Sequence, residues 1–162
     1  TAMMLFVPEQ AKAENAIVYY NRGIDAQESD DHYGAISDFN KAIDLKSNFA
    51  DAYYARGWSK NILEDYKGAK FDLEKVIKID QNYKQAYIEL SVSKIHSGDY
   101  YGAISDLNKV LKLNPKNLNI VYRNLGIAKQ EIGDMKGPCA DWRISSSYDD
   151  EFAPKWVRNQ CN

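Results

Sequence analysis

The sequence has little of what usually carries chemistry. Of its 162 residues only two are histidine, His32 and His96, and neither has a cysteine or second histidine at ligand spacing, so no metal site is expected. Both are read as surface or groove-edge residues. Its two cysteines, Cys139 and Cys161, do not form the close CxxC pair of a redox centre. There is no phosphate-cradling glycine loop and no serine-centred nucleophile motif, and no acid, base and nucleophile converge. Neither a cofactor nor an enzymatic activity is therefore expected. A charge bias is missing too: 21 basic residues are scattered among 23 acidic ones for a formal net charge of −2. That argues against a nucleic-acid partner, which would call for a basic stripe. No stretch is long and apolar enough to span a membrane. With 44% hydrophobic residues the chain can bury one continuous core, and nothing in its composition marks a second domain.

What the sequence does have is repetition. Tyr19, Asp31, Gly34, Ala35, Asp38 and Phe39 return 34 residues later as Tyr53, Asp65, Gly68, Ala69, Asp72 and Leu73. Another 34 residues on they are Tyr87, Asp99, Gly102, Ala103, Asp106 and Leu107, and after 35 more Tyr122, Asp134, Gly137, Pro138, Asp141 and Trp142. One slipped residue, read as Leu118 in a connecting turn, accounts for the longer last step. A fixed period of this length marks a stacked array whose units cannot bury their apolar faces alone.

Each copy reads as a helical hairpin. Tyr87, Leu90, Ser91 and Lys94 share one helical stripe. Gly98 and Asp99 end that helix and start the next, because glycine tolerates the left-handed position and the aspartate accepts free first-turn amides. Ala103, Leu107, Val110 and Leu111 then point inward, and Asn114-Pro115 stops the second helix. Small residues, Gly57 and Ala69, then Ser91 and Ala103, stand where the paired helices cross.

The 34-residue period, the small residue four places after an aromatic, the GDYYGA hairpin and the terminal Pro115 together resemble the tetratricopeptide repeat, over about residues 16 to 148. The resemblance departs at Ser47 and Gln81, where the terminal proline is missing, and at Pro138, where the other copies have alanine; proline is tolerated near a helix start. It implies an all-α fold, a right-handed superhelix of about four helix-turn-helix hairpins plus a C-terminal capping helix. The repeats would span about 16–49, 50–83, 84–117 and 119–148, with the cap at about 150–161 and a single domain over 14–162.

Residues 1 to 13 lie outside the pattern. Met3 to Val7 is apolar, and Ala11 and Ala13 occupy the small-residue places that a signal peptidase reads, so the segment looks like the tail of a secretory signal cut before Glu14. The alternative is a cytosolic extension whose apolar residues pack on the first helix. On the first reading the mature protein is exported and carries no membrane span.

Two features recur within the hairpins. Arg22 and Asp38, then Arg56 and Asp72, stand on facing helices and are expected to pair, with little net stabilisation because desolvation opposes attraction. In the later copies Asp106 and Asp141 persist while the arginine becomes Leu90 and Leu125. The first helices also carry a second stripe off the partner-packing side: Tyr20 and Ile24, Tyr54 and Trp58, Ile88 and Val92, Arg123 and Ile127. The family resemblance implies that this stripe lines a concave groove for a peptide or helix of a partner, edged by Asn21, Asn61, Glu89 and Asn124. Arg123 would meet a carboxylate there. The alternative is that neighbouring first helices cover one another. The lysines, arginine and asparagines with which one subclass grips chaperone tails are replaced here by Tyr20, Ile24, Ala55, Gln85 and Glu89, which disfavours such a receptor.

Residues 133 to 147 resemble the closing unit of many exported bacterial repeat proteins, with Cys139 in the penultimate helix and Trp156 and Cys161 in the last. Two antiparallel helices rising 1.5 Å per residue from a turn near Tyr148 would bring the two cysteines level within a turn. A disulfide between them would stabilise by roughly 3 kcal/mol and would fit export; the alternative is two free thiols in the cytosol. Phe152, Trp156 and Val157 of the last helix would cover the open end of the stack, while Asp30-Asp31 and Asp149-Asp150-Glu151 suit helix starts. The expected function is non-enzymatic: binding a partner protein in the assembly or tethering of an envelope or membrane-associated complex, or alternatively self-association as a scaffold or homodimer.

Overall fold

Four aspartates set the hairpins. Asp31, Asp65 and Asp99 each accept a hydrogen bond from the backbone N–H three residues on, those of Gly34, Gly68 and Gly102, at 2.9 to 3.0 Å. Asp134 accepts from the N–H groups of Gly137 and Lys136 at 2.9 and 3.1 Å. Each bond satisfies a first-turn amide that the new helix leaves open. The residue before each aspartate is left-handed: Asp30 and Glu64 at φ 62°, Gly98 and Gly133 at φ 78°. Glycine takes that conformation at no steric cost, so the first two turns carry strain that the last two avoid.

The computed structural model describes residues 8–134, 136–148 and 153–161. The expectations for Met3 to Val7, for Asp149, Asp150 and Glu151, for Phe152 and for the side chain of Trp156 fall outside the described residues. The helices form two compact units, one up to Asp80 and one from Gln81. The first holds α1 (Glu9–Glu28), α2 (His32–Leu45), α3 (Ala50–Ile62) and α4 (Tyr66–Ile79). The second holds α5 (Lys84–His96), α6 (Tyr100–Lys112), α7 (Leu118–Glu131), α8 (Gly137–Ser146) and α9 (Ala153–Gln160). No strand occurs among the described residues.

Boundaries differ from expectation in three places. Helix α1 begins at Glu9, just after Pro8, so that Ala11, Lys12 and Ala13 lie within it. Asp30 is the left-handed turn residue, and Asp31 alone caps α2. Leu118 is the first residue of α7 rather than part of a turn. The extra residue of the longer step is carried at the start of α7, which has 14 residues where α5 has 13; before it α6 stops at Lys112 and Asn114 turns left-handed at φ 49° ahead of Pro115.

In three of the hairpins, α1–α2, α3–α4 and α7–α8, a bulky side chain of the second helix seats on a glycine of the first. A Cβ on Gly23 would enter the ring of Phe39, and one on Gly126 would enter the indole of Trp142. At Gly57 it would come within 3.0 Å of Leu73 Cγ. Phe39, Leu73 and Trp142 are all buried on these seats, so backbone proximity rather than bulk holds each of these pairs at a close crossing.

The repeated aspartates are paired in every copy. Asp38 lies 3.3 Å from both Arg22 and Lys41. Fully buried Asp72 accepts from Arg56 Nε and Nη2 at 2.8 and 2.6 Å and from Lys60 Nζ at 2.7 Å. Where leucine replaces the arginine, lysine one turn later takes its place: Lys94 reaches Asp106 at 2.6 Å and Lys129 reaches Asp141 at 2.7 Å. Burial nevertheless raises the Asp141 carboxyl above its ordinary range, and the Lys129 contact offsets only part of that rise.

Candidate partner-binding pocket

In the first unit α1 and α3 present one open pocket of about 380 Å³, lined by Tyr20, Ile24, Gln27, Glu28, Tyr54, Ala55 and Trp58. On α1 the lining residues fall at i, i+4, i+7 and i+8, and on α3 at i, i+1 and i+4, which is one face of each helix. The adjoining faces carry Gly23 and Gly57, seated on α2 and α4. The pocket side is thus what remains once each hairpin has closed.

Tertiary contacts hold the walls in place. The Tyr20 ring lies 5.9 Å from that of Phe39 and 5.0 Å from that of Phe49, both tilted. Burial, followed by the nearby Asp51 carboxylate, raises the Tyr20 hydroxyl above its ordinary value, so it stays protonated at neutral pH. Gln27 donates from Nε2 to Ala55 O at 2.8 Å and to Ser59 Oγ at 2.7 Å, tying α1 to α3 beside the pocket. His32 meets the Trp58 ring edge-on at 5.4 Å. Of the surface or groove-edge places expected for His32, the surface one does not hold: it is 6% exposed against the pocket residue Trp58, with Nε2 placed 3.2 Å from Asp30 Oδ1, because the tight turn folds the start of α2 against that ring.

The remaining predicted groove residues stand in the second unit. Ile88 is buried and lines a smaller pocket of about 230 Å³ with Lys84, Gln85, Pro115, Lys116 and Asn117. Val92, Arg123 and Ile127 are half-buried on α5 and α7 and line neither pocket. Of the expected edge residues, Asn21 is exposed and Glu89 half-buried. Asn61 is buried, and so is Asn124, which donates to Ser91 Oγ at 3.4 Å. Gln27 and Glu28 complete the pocket. Gln27 belongs to the same stripe as Ile24, and Glu28 follows it as the last residue of α1.

Cys139 of α8 and Cys161, just after α9, lie at disulfide distance with Cα atoms 5.5 Å apart. Arg143 donates from Nη2 to Cys161 O at 3.3 Å, a second tie across the same helix pair. Among the described residues, no helix is long and apolar enough to cross a membrane, and no three His, Cys, Asp or Glu side chains gather in a way that could hold a metal ion.

Residues 50–83 and 84–117 each match the family model of the tetratricopeptide repeat. No protein of curated function matches the sequence at a significant level. Among solved structures, the chain is similar to the first TPR of Spaghetti (RPAP3) bound to the HSP90 peptide SRMEEVD, with a TM-score of 0.71 at 19% identity over 74% of this chain and 94% of that one. It is similar as well to MamA from Desulfovibrio magneticus RS-1, with a TM-score of 0.77 at 21% identity over 86% and 78% of the two chains. A third similar structure is a Thermobaculum terrenum O-GlcNAc transferase mutant, with a TM-score of 0.75 at 15% identity over 89% of this chain but only 27% of that enzyme. With its paired helices, its aspartate-capped turns and two repeats matched in sequence, this chain contains tetratricopeptide repeats.

Proposed function

We propose that the protein is a non-enzymatic interaction module whose α1–α3 face holds a peptide or helix of a partner protein. The observation that carries this reading is the open pocket of about 380 Å³ walled by Tyr20, Ile24, Tyr54 and Trp58. Aromatic side chains offer large contact area with few torsions to freeze, which suits a binding surface. The similar RPAP3 domain, which holds a peptide, supports the class of partner. Ile88, Val92, Arg123 and Ile127 extend the same role to the first helices of the second unit.

The compartment belongs to the same proposal. A cysteine pair at disulfide distance supports residence outside the reducing cytosol, and with it a role in assembling or tethering an envelope or membrane-associated complex. Intact mass of protein taken from its native compartment tests this. A mass two daltons below the reduced form is expected, and a fully alkylatable pair would remove the bond and the argument for export.

The binding reading is tested by capturing partners on immobilised wild type and on a Tyr54→Ala, Trp58→Ala double variant. A partner lost on the variant, with the helical circular dichroism retained, is expected. Equal capture by both proteins would show that the pocket is not used.

A further inference from the structure

The arginines of the first unit face away from the pocket, and the lysine beside its Tyr20 wall, Lys46, lies over the Phe49 ring at 4.6 Å. Arg22 and Arg56, together with Lys60, turn away from the pocket to Asp38 and Asp72 on α2 and α4. Lys41 joins Asp38 on that side, and Lys75 lies over Tyr53 at 5.9 Å. Among the described residues no lysine or arginine lines the pocket, and the one charged lining residue is Glu28, exposed at the end of α1. The Asp51 carboxylate is close enough to Tyr20 to help raise its hydroxyl. Three aromatic rings, one lining carboxylate and a second carboxylate beside them make a place of negative potential with apolar walls at Ile24 and Ala55.

A ligand for such a site needs an aliphatic stem and a cationic head. Ring faces attract a cation through their quadrupole, and the attraction is strongest for indole. Lysine and arginine lay their methylenes along apolar surface while the head finds the carboxylate. An acidic segment would bring like charges together in a partly desolvated cleft.

Building on the binding role above, we propose that the α1–α3 pocket is selective for a basic side chain: an arginine or lysine on an otherwise apolar partner segment enters between Tyr20, Tyr54 and Trp58 and pairs with Glu28. The site is thus opposite in sign to one that takes an acidic peptide such as SRMEEVD, the ligand of the similar RPAP3 domain.

Three blocked tripeptides test it, acetyl-Leu-Arg-Leu-amide and its counterparts with norleucine or glutamate at the centre, titrated into the full chain and followed by the Trp58 indole N–H resonance. The arginine peptide is expected to bind at least tenfold more tightly than the glutamate peptide and severalfold more tightly than the norleucine one. Raising salt should erode that preference. Glu28→Gln, an exposed change that leaves the helix intact, should weaken the arginine peptide severalfold and leave norleucine unchanged, while Glu28→Lys should reverse the order of arginine and glutamate. Equal or tighter binding of glutamate or norleucine would overturn the charge selectivity and leave the pocket as a binding site. If no peptide moved the Trp58 resonance, the pocket's binding role would fall as well.

Discussion

Replacing Asp72 by asparagine isolates what the buried ion cluster contributes. The Asp72 side chain is fully buried, and it receives Arg56 through two nitrogens and Lys60 through one, all within 2.8 Å. The intact cluster is worth little net, because three charges were desolvated to build it. Breaking it is another matter: Asp72→Asn leaves two cations facing a neutral amide, a loss of about 3–5 kcal/mol where both are fully enclosed. Their side chains retain 14% and 18% exposure, so partial escape to water brings the expectation down to about 2–3 kcal/mol. For a chain of this size that corresponds to a fall in Tm of about 5–10 °C. Arg56→Leu copies the arrangement of the next repeat, where Leu90 stands aside and Lys94 alone holds Asp106. It should cost only about 1 kcal/mol, since Lys60 stays on the carboxylate. Urea unfolding followed by circular dichroism reads both variants. Comparable losses from the two, or a loss below about 0.5 kcal/mol from Asp72→Asn, would refute the argument.

Other consequences follow from the turns and the crossings. Glu64→Gly, at a left-handed position with φ 62°, should stabilise by about 0.5–1 kcal/mol, the steric relief exceeding glycine's entropic cost; a lower urea midpoint would contradict it. Gly126→Ala drives a methyl into the buried Trp142 indole and should destabilise by about 1–3 kcal/mol, with a changed near-UV spectrum. Asp134 is held below its ordinary carboxylate value by the N–H groups of Gly137 and Lys136. Its contribution is therefore present above pH about 4 and lost as the pH falls through its lower folded value. Asp134→Ala should lower stability at neutral pH and flatten its acid dependence, and an unchanged acid slope would count against the cap.

The hairpins were legible because their signals are local and recur in register. Asp31, Asp65, Asp99 and Asp134 needed only their own loops to act as caps, and Gly57 opposite Leu73 follows from spacing along two neighbouring helices. Lys60, Lys94 and Lys129 recur in register with the aspartates they hold in the last three copies, whereas Ala26 stands at that place in the first, so the arginines of the first two copies are the plainer partners in sequence. The burial of His32 had no local sign, since it follows from Trp58, an aromatic of the next hairpin. The left-handed turns at Asp30 and Glu64 were equally hidden, because neither position has the glycine that marks Gly98 and Gly133. The pocket was only partly legible. Periodicity puts Tyr20, Ile24, Tyr54 and Trp58 on one stripe and the family resemblance makes that stripe a groove, but Ile88 has the same register and is buried, and side-chain order alone does not tell an open face from a covered one.

The most direct test places a photoreactive benzoylphenylalanine at Ile24 in the pocket or at the exposed Tyr33 on α2, and compares the partner adducts formed in the native cell. The account predicts one partner cross-linked from position 24 and not from position 33, with the adduct lost when Trp58→Ala is added. Adducts from position 33 alone, or an adduct at position 24 that survives the loss of Trp58, would contradict it.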